Sequence, residues 1–475
     1  MTSLTSSEFK LSISQYLLGL NYDPRVVLSV TPDGSTTAIP LKERTSSNNA
    51  VIICTKTKTS LSKTLNEVAL LSPSTGVAFP GALILANEQL MDGQPTPISL
   101  PRGTCTLSID LPGMREPSAR LVPTESSVRE FVNAKLEAWN AGAAHEGYVN
   151  AARSMLNISQ AFSSQQLSLE LGFNAKWASG NASAQLSTTS NTERSVVVAY
   201  YKQVFYTVTM NTPENAADVF GDGVTAENAM AAFDARNPPA YVRSVDYGRI
   251  LMVKMETSSV DTSANLKGAF EHATSGGVTV GGELKSKYES IVRNATFTVL
   301  AIGGGASTPV QLFHGAADGE IAGLKEYIQK DATYRRDNPG LPVAYQVAFL
   351  KDNRFATMGF TTDYTETQAV RYPNGFVRVQ HSGAYVARFE VTWTEADGQG
   401  EFNQNRRWES GDKTAGYSQQ VDLPGDARNV RLKAWAATGL IWDKWGEIFN
   451  VALEGPDNRT YRAKGTTLNR SWDHG

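Results

Sequence analysis

The sequence has few of the residues from which most enzyme and metal sites are built. Its 475 residues include five histidines and two cysteines, Cys54 and Cys105. No GxSxG, GxxxxGKS/T or HExxH motif is present, and the pair His145-Glu146 lacks the second histidine that a zinc site needs. The cysteines show no CxxC or Cys/His spacing, which favours two buried free thiols over a disulfide. The sequence therefore predicts no enzyme, no metal and no cofactor.

Three further absences narrow the class of protein. The net charge is −3 and no basic cluster is present, which argues against a nucleic-acid binder. No run of about 18 apolar residues occurs, so no constitutive membrane helix is predicted. The N-terminus, MTSLTSSEFKLSISQYLLGLNYD, has no basic region followed by an apolar core, so no secretory signal peptide is predicted. Hydrophobic residues make up 41% of the chain, enough for the cores of several domains.

The pattern that is present is typical of a β-rich protein. Valine, threonine, tyrosine and phenylalanine alternate with polar residues in short runs such as Val196–Val208. Two amphipathic helices are predicted, Ser126–Asn140 with a capping candidate at Thr124 or Ser126, and Glu320–Asp331. Short strands and turns alternate over Gly375–Gly475, which predicts a β-sandwich.

Two segments carry apolar residues at alternating positions. In the first segment these residues are Leu167, Leu169, Leu171, Phe173, Ala175 and Trp177. In the second they are Leu266, Phe270, Val278, Val280, Leu284 and Tyr288. Alternation gives a strand one apolar face and one polar face. One interpretation is an ordinary hairpin with one face on a core, and the other is a pair of strands from a transmembrane β-barrel.

The segment Ala436–Gly446 reads AATGLIWDKWG and sets two tryptophans beside a Thr-Gly turn. Indole is suited to the boundary between water and hydrocarbon, and the alternative is a pair of core tryptophans on a strand. The segment resembles the tryptophan-rich undecapeptide of the cholesterol-dependent cytolysins, Glu-Cys-Thr-Gly-Leu-Ala-Trp-Glu-Trp-Trp-Arg. The matching residues are Thr438, Gly439, Leu440, Trp442 and Trp445, and the departing ones are Ala436, Ala437, Ile441, Asp443, Lys444 and Gly446.

Other segments resemble the same family and follow its order along almost the whole chain. They are SIDLPGM (Ser108–Met114), YKQVFYTV (Tyr201–Val208), ADVF (Ala217–Phe220), YGR (Tyr247–Arg249), KMETSS (Lys254–Ser259), HSGAYVA (His381–Ala387) and KGTTL (Lys464–Leu468). The resemblance implies an α+β, β-rich fold with an elongated four-domain architecture. In it, helices flank a central twisted antiparallel sheet and a β-sandwich forms the C-terminal domain.

The resemblance also implies domain boundaries. A discontinuous domain 1 comprises 1–28, 66–154, 203–253 and 332–356. An elongated β domain 2 comprises 29–65 and 357–373, and domain 3 comprises 155–202 and 254–331. Domain 4, the membrane-binding sandwich, comprises 374–475.

In domain 3 the resemblance assigns a role to the alternating segments. They fall at about 165–191 and 264–291, in regions that the cytolysins keep as short helices in water and refold into membrane hairpins. Gly303 and Gly304 correspond to a glycine pair beside a removable edge element, where free backbone rotation lets the chain swing away from the sheet. A simple turn at the end of a strand is the alternative.

In domain 4 the resemblance implies a membrane-binding tip made of four loops. Thr467 and Leu468 are similar to the sterol-recognising pair of the family. The undecapeptide Ala436–Gly446 forms a second loop, and Ala384 and Ala415 fall in two more that insert shallowly.

The implied function is that of a pore-forming toxin, secreted or released from a bacterium. It binds cholesterol in target membranes, associates with itself into a large homo-oligomeric ring and inserts a transmembrane β-barrel that lyses the cell. The alternative is a non-lytic family member that docks on a sterol or glycan. Two departures motivate this alternative: Lys444 stands in place of a tryptophan, and Gly446 stands in place of an arginine implied in coupling membrane binding to assembly.

Overall fold

The computed structural model describes residues 6–25, 27–29, 41–47, 49–70, 76, 78–173, 189–191, 194–275, 281–303, 310–317, 319–330, 332–440 and 444–475. The α-helices in these ranges are α1 (Ser6–Gly19), α2 (Glu88–Met91), α3 (Glu125–Ala141), α4 (Ser164–Leu171), α5 (Ala226–Ala232), α6 (Ser263–Ser275), α7 (Gly282–Arg293) and α8 (Glu320–Gln329). None of the described helices combines the length and the apolar character needed to cross a bilayer.

Strands dominate the fold and are numbered in chain order. The first two, β1 (Leu41–Ser46) and β2 (Ala50–Leu65), form a three-stranded antiparallel sheet with the much later β13 (Met358–Pro373). The intervening strands are β3 (Val68–Ala69), β4 (Leu83–Leu85), β5 (Cys105–Ile109), β6 (Ser118–Leu121), β7 (Arg153–Gln160), β8 (Ser195–Met210), β9 (Pro239–Thr257), β10 (Ala295–Ile302), β11 (Val310–His314) and β12 (Leu341–Phe349). These ten form one antiparallel sheet, the central sheet.

The middle of the central sheet is covered on both faces. Its main strand order is β11-β10-β9-β8-β5-β6, with β7 beside β8 and β12 beside β9. Residues of β8 from Ser195 to Tyr206 are all buried, so the run carries apolar side chains on both faces. One face packs against α6, α7 and α8, and the other packs against α4. Of these helices, α4, α6 and α7 contain the described parts of the two alternating segments.

The C-terminal region is a sandwich of two four-stranded sheets. One sheet has the order β17 (Ser418–Leu423), β14 (Gly375–His381), β20 (Thr460–Gly465) and β21 (Arg470–His474). The other has the order β16 (Phe402–Glu409), β15 (Ala387–Ala396), β18 (Arg428–Ala437) and β19 (Trp445–Leu453). Phe389 and Phe449 lie in the core between them. Arg44 of β1 donates two hydrogen bonds, of 2.7 and 2.9 Å, to the buried carboxylate of Asp426, which ties the sandwich to the three-stranded sheet.

Several local predictions agree with this fold. Helix α3 begins after Thr124, whose hydroxyl accepts from the backbone N–H of Ser127, and it buries one apolar side. Helix α8 buries Leu324 and Ile328, although it ends at Gln329, two residues earlier than predicted. The predicted strand Val196–Val208 lies within β8. Both cysteines are buried free thiols, and burial raises the pKa of Cys105 to about 11.

Candidate functional site

Four loops meet at one end of the sandwich, and we call this end the tip. They are loop 1 (382–386), loop 2 (410–417), loop 3 (438–444) and loop 4 (466–469), which connect β14 to β15, β16 to β17, β18 to β19 and β20 to β21. Loop 1 lies among the others, because the Ala384 N–H donates to Gly465 O and the Ala437 N–H donates to Val386 O, each at 2.8 Å. Ala387 and Lys413 exchange two backbone hydrogen bonds of 2.8 Å, which bring loop 2 to the same place.

Loop 4 carries Thr467 and Leu468 at the end of a tight hairpin. Thr466 and Asn469 exchange backbone hydrogen bonds of 3.0 and 3.1 Å, which close the loop. The side chain of Leu468 is 98% exposed. An ion pair of 2.7 Å between Lys464 and Asp473 holds the two strands below it together. The hairpin formed by β20 and β21 therefore presents the apolar side chain of Leu468 to solvent.

Three other predicted tip residues, Ala384, Ala415 and Leu440, are also apolar and exposed. Ala384 in loop 1 and Ala415 in loop 2 both face solvent. In loop 3, Gly439 adopts a φ of +79°, and the Leu440 N–H donates to the Thr438 hydroxyl at 3.1 Å. The side chain of Leu440 is 45% exposed. A cluster of exposed apolar groups at one end of a domain is characteristic of a membrane or protein contact.

The two tryptophans of the undecapeptide differ in setting. Ile441, Trp442 and Asp443 lie outside the described residues. Trp445 is the first residue of β19, pairs with Ala437 and is half-buried. The Arg388 guanidinium lies 4.0 Å from the centre of its ring, within the range of a cation–π contact. The prediction that Ala436–Gly446 forms a loop is therefore wrong at both ends, because Ala436 and Ala437 belong to β18 and Trp445 and Gly446 belong to β19. The Trp445 ring packs on the side of the sandwich.

A cavity of ≈610 Å³ adjoins Trp445 on the outer face of its sheet. The polar and aromatic residues around it are Arg388, Phe389, Glu390, Arg407, Glu409, Asp412, Trp435 and Trp445. Arg388 forms a hydrogen-bonded ion pair with Asp412 of loop 2. The hydrogen bond from Arg388 lowers the pKa of Asp412. These contacts join the base of loop 3 to loop 2.

Two tip residues were missed by the sequence reasoning. The ring Nε2 of His381 lies 2.7 Å from the carbonyl oxygen of Tyr385, and the Tyr385 hydroxyl donates to Lys464 O at 3.0 Å. Both therefore fix loop 1 to neighbouring strands. Both lie in the family-like segment HSGAYVA, where a signal for them is present, although the prediction for this segment names only Ala384.

The first alternating segment begins as a helix, so its interpretation as an ordinary hairpin is wrong for the described part. Helix α4 has a capping box in which Ser163 and Gln166 each accept from the other's backbone N–H. Leu167, Leu169 and Leu171 of this helix are buried, and so are the polar residues Gln166 and Ser168. Phe173 follows the helix and is also buried, whereas Ala175 and Trp177 lie outside the described residues.

The alternating pattern of α4 is accommodated because the helix is buried on two opposite sides. Residues two apart on a helix are about 200° apart around its axis, so Leu169 points away from Leu167 and Leu171. Leu167 and Leu171 pack on the central sheet, whereas Leu169 packs in the cluster that contains Leu65 and Phe360 of the three-stranded sheet. The helix is wedged between two sheets.

The second alternating segment is helical as well. Leu266 and Phe270 of α6 are fully buried, and the Phe270 ring lies 6.3 Å from that of Phe297 in β10. Val278 and Val280 lie outside the described residues. Leu284, near the start of α7, is 38% exposed. It shares the predicted apolar face but lies at the surface.

The predicted hinge lies where the edge of the central sheet is covered. Gly303 follows β10 with a φ of +80°, and a Cβ at this position would lie 2.9 Å from Gly248 O. Gly304 lies outside the described residues. The five-residue strand β11 pairs with β10 at the edge of the sheet. The Arg249 guanidinium donates to Ile328 O at 2.8 Å, which holds the end of the following helix α8 against the sheet.

The fold and the tip define a β-rich cytolysin with a C-terminal β-sandwich. Two family models match the chain: "Thiol-activated cytolysin" over residues 12–372 and "Thiol-activated cytolysin beta sandwich domain" over residues 376–471. The chain therefore belongs to the thiol-activated cytolysins. Members of this family are pore-forming toxins and not enzymes.

The similarity to individual members covers nearly the whole chain. Tetanolysin of Clostridium tetani is 34% identical over 465 residues, which cover 96% of this chain and 86% of tetanolysin. The crystal structure of listeriolysin O superimposes with a TM-score of 0.87 at 31% identity and covers 100% of this chain and 97% of its own. A structure of pneumolysin has a TM-score of 0.85 at 28% identity, with coverages of 98% and 99%.

Proposed function

We propose that this toxin binds cholesterol-containing membranes through the tip, assembles into a ring and inserts a transmembrane β-barrel that lyses target cells. The toxin would be released by a bacterium and act on the membranes of other cells. Thr467 and Leu468 would recognise the sterol, with the hydroxyl near the sterol 3-OH and the leucine against its rings. Loops 1, 2 and 3 would insert shallowly around them, through Ala384, Ala415, Leu440 and Trp442.

One observation carries the barrel step: the sequence of α4 has the pattern of a strand but the conformation of a helix. All three alternating leucines are buried only because the helix packs against other elements on two opposite sides. The helical state therefore depends on tertiary packing. As a strand, the same leucines would lie on one face, as a lipid-facing barrel strand requires. Leu284 supports the same step for the second segment, since an apolar side chain left at the surface would be buried in lipid.

Assembly is required before insertion for an energetic reason. The hairpins of a single molecule would leave unpaired edge N–H and C=O groups in hydrocarbon, at a cost of several kcal/mol each. A closed ring removes every edge. The edge of the central sheet that would pair with the next molecule is β10, once β11 has swung away about Gly303 and Gly304. The domain boundaries given above belong to this proposal, with the hairpin regions in domain 3.

The assembly step is tested by incubating the protein with cholesterol-containing liposomes and separating the products in SDS without heating. We expect a large SDS-resistant oligomer that is absent when liposomes are omitted, because a closed barrel pairs all its backbone groups. Monomer alone in both samples would contradict assembly.

A non-lytic family member is the second candidate. Lys444 is exposed at the base of loop 3 and replaces an indole with a strongly hydrated cation, which weakens insertion and adds attraction to anionic head groups. Such a protein would dock on a sterol or a glycan without forming pores. It would have no use for the alternating pattern of α4, so the pore-forming function is the one the chain supports better.

A further inference from the structure

Arg470 reaches from one sheet of the sandwich to the other. It is the first residue of β21, directly after loop 4, and pairs with Gly465. Its guanidinium lies against Gly446 of β19, which belongs to the opposite sheet. A Cβ added to Gly446 would lie 2.7 Å from Cζ of Arg470 and closer still to Nη1. Any side chain at position 446 would therefore displace the guanidinium.

Part of this guanidinium is buried in the described structure. Its Nη1 is buried and has no hydrogen-bond partner among the described residues. Buried polar groups without partners are rare, because each loses its hydration without replacement. The position is therefore one that calls for a functional explanation.

Three of the tip loops surround this group. Loop 4 precedes Arg470 in the chain, and loop 3 ends just before Gly446. Loop 1 supplies Tyr385: burial raises the pKa of its hydroxyl, and the positive charge of Arg470 opposes this increase. Side chains of β19 and β21 also touch further down, where the rings of Phe449 and Trp472 are 5.3 Å apart. Arg470 is thus at the point where the sterol-recognition loop and the tryptophan loop come together.

We propose that Arg470 is a positioning residue that holds loops 3 and 4 at a fixed separation, so that both meet the membrane together. This inference rests on the proposed membrane-binding function of the tip. Two anchors held in one arrangement bind more tightly than two that must be ordered on binding. Position 446 carries no arginine in this chain, but the guanidinium of Arg470 lies against it.

The test compares Gly446→Ala, Arg470→Ala and the double variant in pelleting with phosphatidylcholine–cholesterol vesicles. Gly446 has no positive φ, so alanine changes the contact and not the allowed backbone. We expect each single variant to raise the lipid concentration for half-maximal pelleting by about tenfold. The double variant should bind vesicles no more weakly than the single variant that binds less well. The reason is that the new methyl group occupies space that the guanidinium has left. Thermal melting should change little.

Two substitutions elsewhere in the sandwich serve as controls. Gly398→Ala adds a methyl group where nothing lies within 4 Å, and Arg431→Ala removes an exposed guanidinium from β18. Both should pellet like the unaltered protein. If Arg470→Ala fails to fold, Arg470→Met keeps the apolar stem and takes its place with the same expected result.

The outcomes separate this inference from the proposed function. If the unaltered protein pellets and Arg470→Ala pellets equally well, Arg470 has no positioning role although the tip binds sterol membranes. The inference is equally wrong if the two single losses add in the double variant, since the residues then act independently. If the unaltered protein does not pellet, the proposed function and the inference both fail.

Discussion

Replacing Leu284 with glutamate is expected to impair pore formation strongly while leaving the folded monomer and its membrane binding intact. Leu284 is 38% exposed near the start of α7, where a carboxylate stays hydrated and glutamate is a good helix former. In the inserted strand the same side chain would face lipid. A lysine on the lipid face of a barrel costs ~2–4 kcal/mol at the bilayer midplane and an acidic residue less, but the cost recurs in every subunit. We expect dye release from cholesterol liposomes to need at least about tenfold more protein.

Lys285→Glu is the matched control for this variant. It introduces the same side chain one position later, where the alternating pattern puts it on the polar face, and Lys285 is exposed in the soluble form. Release should be close to that of the unaltered protein. Equal loss from both variants would show that the segment does not insert as an alternating strand.

Leu171 and Phe173 also carry the alternating pattern, yet a charge there would give an ambiguous result. Both are buried beside the central sheet in the soluble form, with exposed fractions of 0% and 2%. A buried unpaired carboxylate would unfold the protein or shift its own pKa before any membrane was met. The exposure of Leu284 makes it the better position.

The second large effect is expected from a disulfide that fastens β11 to β10. Thr298 and Leu312 are direct cross-strand partners, and Leu312 is 61% exposed, so cysteines at both positions disturb little of the core. Their Cβ atoms, as in cross-strand pairs generally, are about 4.5–5.5 Å apart, near enough for a bond with small adjustment. Oxidised Thr298→Cys/Leu312→Cys should still pellet with liposomes but release no dye, because β11 keeps the edge of β10 covered.

Reduction provides the internal control for the disulfide. Dithiothreitol should restore release to the level of the two single-cysteine variants, and the native thiols Cys54 and Cys105 are buried and free. Undiminished release from the oxidised protein would mean that β11 need not leave the sheet edge. The result would then contradict the proposed hinge at Gly303 and Gly304.

The parts of the fold that depend on local chemistry were predictable from the sequence. The hydroxyl of Thr124 caps α3 through neighbouring backbone groups, so a short sequence window contains all the relevant information. The β-sandwich was predictable for a similar reason, since strand length and turn residues alternate along Gly375–Gly475. The resemblance in Ala436–Gly446 and in KGTTL then directed attention to the loops that the structure brings to one end of the sandwich.

The remainder required the three-dimensional structure because it depends on distant parts of the chain. The alternation in α4 predicts a strand, but burial between two sheets stabilises a helix, and no window around Leu169 reveals Leu65 or Phe360. The Trp445 ring packs against the guanidinium of Arg388, which lies far away in sequence. Gly446 looked like a simple loss of an arginine until the structure showed Arg470 in that space.

Dye release from liposomes is the measurement that decides whether this toxin perforates membranes in a sterol-dependent manner. Liposomes with and without cholesterol would be compared, with pelleting measured in parallel on the same samples. We expect both release and pelleting when cholesterol is present and neither when it is absent. Sterol-dependent pelleting without release would contradict pore formation and favour the non-lytic protein, and the absence of pelleting would contradict sterol recognition by the tip.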